Sequence, residues 1–137
     1  MLINELLGIR YPIFQGAMAN IATAEFAAAV SNCGGLGIIA TGAMDEVQTR
    51  AAIKKCKQLT KQPFGVNVML MNPHTEAIMQ VIIEEKVAVV TTGAGNPGPY
   101  IEGLKASVYK VFPVVASVAL PRRLPKSGVD RRFTEGC

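Results

Sequence analysis

The chain is poor in the residues that most often announce a function. It has one histidine, His74, and three scattered cysteines, Cys33, Cys56 and Cys137, with no C-x-x-C pair. That set leaves no Cys/His cluster with zinc-ligand spacing and no disulfide framework, so no metal site is expected. Cys33 and Cys56 read instead as small packing residues on helices. No apolar run reaches the ~18 residues of a membrane span. Met1-Leu2-Ile3-Asn4-Glu5 lacks the basic region of a secretory signal, so a cytoplasmic protein is expected. The net charge of +4 is uneven: Arg122, Arg123, Lys126, Arg131 and Arg132 crowd the C-terminal stretch against two acids. No aromatic platform is interleaved with them, and nucleic acid is not an expected partner.

What the chain does have is apolar residues, 50% of 137, enough for one domain with a real core. The pattern is strand, helix, strand, helix, with a turn signal at nearly every join. Tyr11–Gln15 is a short apolar run closed by Gly16. Thr23 can cap a helix running to Cys33, and Gly34 can end it in the left-handed region. Leu36–Thr41 reads as a buried strand. Asp45 with Gln48 makes a capping-box start for a helix to about Leu59, with Val47, Ala51, Ala52, Cys56 and Leu59 as its apolar stripe. Phe64–Leu70 is a strand, Asn72-Pro73 opens a helix to about Lys86, and Ala88–Thr92 is a strand. A short helix over Tyr100–Ala106 and a strand over Lys110–Ala116 follow. Near-continuous apolar strands alternating with amphipathic helices imply an α/β fold with parallel strands. An open doubly wound sheet and a β/α barrel both satisfy that pattern.

Several motifs invite a function and fail a second condition. Gly93-Ala94-Gly95-Asn96-Pro97-Gly98 fits G-x-G-x-x-G, but no acid follows about 20 residues on, where a dinucleotide-binding fold places one. Gly34-Gly35-Leu36-Gly37 lacks the Gly-Lys-Ser/Thr of a phosphate loop and suits a turn with tight helix–strand packing. His74 is the single ready-made general base, yet the first turn of a helix is an ordinary place for a polar surface residue. Glu84 and Glu85 read as solvated helix-end charges. Asn67 stands out because it interrupts an otherwise apolar strand. Its amide either bonds neighbouring backbone or points into a barrel mouth and reads a planar ligand.

Four segments then carry a resemblance: Tyr-Pro-Ile-Phe-Gln-Gly-Ala-Met (11–18), Gly-Gly-Leu-Gly-Ile-Ile (34–39), Pro-Phe-Gly-Val-Asn-Val-Met-Leu (63–70) and Val-Thr-Thr-Gly-Ala-Gly-Asn-Pro (90–97). In this order and spacing the chain resembles the FMN-dependent enoyl-acyl-carrier-protein reductase II and nitronate monooxygenase family, with the reductase branch favoured. The resemblance implies a TIM-type barrel with FMN at the C-terminal ends of its strands. It implies that Gly16, Ala17 and Met18 lie against the isoalloxazine, that Asn67 bonds its polar edge, and that Glu135 sits near it. It also implies NADH or NADPH as reductant, and an enoyl substrate on acyl carrier protein, or an alkyl nitronate in the alternative. A binding module without catalysis is the reading from another class.

The resemblance implies that residues 1–137 are the N-terminal part of one such barrel. The family's active-site histidine would lie beyond Cys137, so no catalytic residue is assigned and a truncated, inactive form is expected. The 121–137 stretch is atypical for the family. Pro121 and Pro125 intrude where a helix is expected, and Arg131-Arg132-Phe133 stands where a buried strand is expected. A half barrel would also expose unpaired strand edges, which favours a homo-oligomer.

Overall fold

A computed structural model describes residues 1–107, 110–115 and 133–134. The elements run α1 (Ile3–Leu7), α2 (Ala24–Asn32), β1 (Gly37–Ala40), α3 (Glu46–Leu59), β2 (Phe64–Met69), α4 (Thr75–Glu84), β3 (Val89–Gly93), α5 (Gly98–Lys105), β4 (Lys110–Val115) and β5 (Phe133–Thr134). The five strands pair in chain order, β1-β2-β3-β4-β5, and every pairing is parallel.

Two observations choose between the architectures that periodicity left open. The strand order never reverses, whereas a doubly wound sheet reverses at its switch point. The helices α2, α3, α4 and α5 also share one core with a single face of the sheet, around Ile39, Val66, Val68, Val90 and Val111. A parallel sheet with all its crossover helices on one face is a segment of β/α barrel.

The other face is the barrel interior. There Leu36, Ile38, Val89 and Phe112 pack with Leu7 and Ile9, and the ring of Phe14 meets Phe112 edge-on at 6.0 Å. The short α1, ended by Gly8 in the left-handed region, delivers Leu7 to this cluster. Five residues are too few for a periodicity signal, and the sequence reading assigned no helix there.

Most local signals hold. Thr23 accepts from the Phe26 N–H, and Asp45 and Gln48 form their capping box. Gly37 is required by packing, because a Cβ on it would lie 1.8 Å from the Ala27 carbonyl oxygen. Other expectations are corrected. Tyr11–Gln15 forms one bridge, Phe14 with Leu36, rather than a strand. The stripe of α3 is rotated: Thr49, Ile53 and Cys56 are buried, while Val47 is 71% exposed and Leu59 is also exposed. Cys56 packs as expected, but Cys33 is exposed at the end of α2. Asn72-Pro73 does not cap α4, which starts at Thr75 after His74. A strand does form at Phe133–Thr134, where the two preceding arginines argued against one. Glu135, Pro121, Pro125 and the rest of the 121–137 stretch lie outside the described residues.

Candidate functional site

Side chains along a strand alternate between faces, so register places ligand-facing residues. Asn67 stands between Ala40 of β1 and Thr91 of β3, two residues before the Met69–Gly93 pair that ends both strands. That position is at the C-terminal end of the sheet, where such barrels carry their chemistry. Asn67 is only partly buried. Its backbone carbonyl accepts from the Thr41 hydroxyl at 2.7 Å and from the Thr41 N–H at 3.2 Å. Its side-chain Oδ1 accepts from the Thr91 hydroxyl at 2.7 Å. Nδ2 has no hydrogen-bond partner among the described residues. The internal partner of the amide is thus a neighbouring hydroxyl rather than backbone, and it engages only the oxygen end.

Gln15 shapes the first loop. Its backbone N–H bonds the Leu36 carbonyl at 3.0 Å, and its side chain then continues the ladder in place of backbone. Nε2 donates to the Ile38 carbonyl at 3.0 Å, and Oε1 accepts from the Ile38 N–H at 3.2 Å. With a side chain holding the register, the main chain leaves the sheet at Gly16. The N–H groups of Gly16, Ala17 and Met18 have no acceptor among the described residues. A Cβ placed on Gly16 or Gly93 would meet no atom within 4 Å, so a flat ring can approach the backbone at both. Met18 and Met69 are exposed beside them.

The loop after β3 is tightly held. Ala94 adopts φ 54°, a left-handed conformation costly for a residue with a Cβ. A Cβ on Gly95 would lie 2.8 Å from that of Leu70, which explains a glycine there without a pyrophosphate. Asn72 Nδ2 reaches back to the carbonyls of Thr41 at 3.3 Å and Met44 at 3.0 Å, tying the loops after β1 and β2 together.

His74 is not brought to Asn67. It precedes α4 in the helical layer, half exposed, with Nδ1 3.2 Å from Glu46 Oε2 of α3. Glu84 and Glu85 are less free than expected. Arg50 bonds Glu84 and reaches Glu85 at 2.8 Å, and Lys57 approaches Glu85 at 3.3 Å. Burial works to raise the Glu85 pKa, but the bonds from Arg50 and Lys57 outweigh it and hold the carboxyl below its ordinary value. No group of three His, Cys, Asp or Glu among the described residues could hold a metal.

The sequence reading missed Thr91 and Gln15. Each left a trace: a threonine pair inside the apolar run Val89–Gly93, and an amide closing the apolar run at Gln15. Neither trace shows its partner, because the partner belongs to another segment.

Residues 1–80 match the family model for nitronate monooxygenase. The chain belongs to that family, whose members are FMN-dependent oxidoreductases. FabK from Thermotoga maritima is 49% identical and superposes with a TM-score of 0.95, over 98% of this chain and 43% of that one. The nitroalkane oxidase of Streptomyces ansochromogenes, 23% identical with a TM-score of 0.89 over 99% of this chain and 48% of that one, shares the fold. Among curated relatives, the (3aS,4S,5R,7aS)-5-hydroxy-7a-methyl-1-oxo-octahydro-1H-indene-4-carboxyl-CoA dehydrogenase of Rhodococcus jostii is 30% identical over 98% of this chain and 38% of its own length. The nitronate monooxygenase of Paraburkholderia phytofirmans is 29% identical over 96% of this chain and 46% of its own. The chain thus spans less than half the length of these relatives.

Proposed function

We propose that this chain supplies the ring-binding part of an FMN-dependent enoyl thioester reductase. The observation that carries the reading is a set of donors at the C-terminal end of the sheet that have no partner among the described residues: Asn67 Nδ2 and the N–H groups of Gly16, Ala17 and Met18. With open space above Gly16 and Gly93, these residues fit one face and one polar edge of an isoalloxazine. Bound there, FMN would supply the hydride relay from NADH or NADPH to the β-carbon of a trans-2-enoyl group on acyl carrier protein. The chain's own part is to orient the ring through Asn67 and the 16–18 backbone. The Phe14–Phe112 contact, on the same inner face, keeps water from the apolar interior. Glu135 belongs to this reading as a further ring neighbour, and a cytoplasmic location fits it. Identity of 49% to FabK across nearly the whole chain supports the reductase branch. The nitronate monooxygenase family model supports the second reading, oxidation of an alkyl nitronate with dioxygen.

Flavin titration of the full chain tests the reading. FMN should bind at micromolar concentration or better, and Asn67→Leu should weaken it about tenfold, the loss of one well-made hydrogen bond. Bleaching by NADH, with reoxidation by an enoyl thioester, would support the reductase; reoxidation coupled to nitronate would support the monooxygenase. Binding without bleaching would support a non-catalytic module. Equal affinity in Asn67→Leu would remove Asn67 from the site.

A further inference from the structure

We propose that Thr91 is a positioning residue that sets the polarity of Asn67, so that the ligand atom facing Asn67 must be a hydrogen-bond acceptor. The ligand's identity as a flavin rests on the reading above; the orientation of the amide rests on Thr91 alone. An asparagine amide can sit either way round, and nothing in its own shape decides which end faces outward. Here the neighbour decides. Thr91 lies directly across from Asn67 in the β2–β3 register and is 3% exposed. Its hydroxyl has one proton to give, and the acceptor it finds is Asn67 Oδ1 at 2.7 Å. Turning the amide over would set Nδ2 against Thr91 and leave the buried hydroxyl proton without an acceptor among the described residues. The opposite strand offers no substitute, since Ala40 is the Asn67 neighbour on β1.

The selection has a chemical consequence for the ligand. With Nδ2 outward, Asn67 and the N–H groups of Gly16, Ala17 and Met18, which have no acceptor among the described residues, are all donors. A ring edge of carbonyl oxygens and unprotonated nitrogens matches them, and an edge that itself presents N–H at the Asn67 position does not. Valine at position 91 has nearly the same shape and suits a strand, but it selects neither orientation. Serine keeps the hydroxyl.

The test uses the full chain and two readouts. Side-chain ¹⁵N relaxation of the Asn67 amide needs no cofactor. It should show a restrained group in the native chain and in Thr91→Ser, and a mobile one in Thr91→Val. In FMN titrations, Thr91→Val should weaken binding about tenfold and Thr91→Ser by less than about twofold. In an Asn67→Leu background the valine should have no further effect. An Asn67 amide equally restrained in Thr91→Val would overturn the inference, as would a Thr91→Val defect that persists without Asn67. If the native chain fails to bind FMN, the flavin reading falls, while the relaxation measurement still decides the role of Thr91.

Discussion

At the scale of single residues, close approach and burial make the sharpest demands. Gly37→Ala would place a methyl 1.8 Å from the Ala27 carbonyl, and the obstacle is backbone. Helix α2 would have to lift from β1, with an expected cost of about 1–3 kcal/mol or more, read as a lower urea midpoint. The thiols offer a second check. Burial first, and the nearby Glu25 charge second, push Cys56 up to about 11, while Cys33 is exposed. Iodoacetamide at pH 8 with peptide mapping should therefore modify Cys33 readily and Cys56 only after unfolding. Equal rates in the folded protein would contradict the packing of α3. Asn67 was legible as a candidate because an amide in an apolar strand needs a reason. Thr91 was not, since a cross-strand neighbour is fixed by register, and register is not written in either strand alone.

Among elements, the helices announce their beginnings better than their faces. The capping box at Asp45 and Gln48 was readable because its chemistry is local, and Asp45→Ala should cost about 1 kcal/mol in thermal or urea unfolding. An unchanged midpoint would mean that α3 is held by packing alone. The buried side of α3 was harder, because Val47, Ala51 and Leu59 keep helical spacing almost as well as Thr49, Ile53 and Cys56. What decides is the groove against α2 and α4, where Arg50 and Lys57 are drawn to Glu84 and Glu85. Tyr11–Gln15 failed as a strand for a related reason: Gln15 makes its ladder contacts to Ile38 through its side chain, which no strand pattern encodes.

Across the whole molecule, alternation of strands and helices specified a parallel sheet, but the barrel needed strand order and the one-sided placement of helices. Inter-element ion pairs give this assembly a pH dependence of known sign. Lys55 and Arg50 hold Glu25 and Glu84 below the ordinary value of 4.5, and Glu85 is lowered by Arg50 and Lys57 against its burial. Each folded-state pKa lies below the unfolded one, so the stabilisation is complete above about 4.5 and is lost as pH falls through the folded values. The effect should be modest and screened by salt, because Glu25 and Glu84 are about half exposed, while Glu85 is more covered. Urea midpoints between pH 6 and 3 should fall less steeply in Glu84→Gln/Glu85→Gln, and an identical slope would clear these pairs. Among the described residues β5 pairs on one side only, so association is the expected outcome: light scattering on these 137 residues should give a dimer or larger species, and a compact monomer would count against an unpaired edge there. The uninterrupted order of the strands carries one more consequence. Each strand finds its partner in the unit made just before it, so a chain emerging from the ribosome can settle one βα unit at a time, without waiting for distant sequence to arrive.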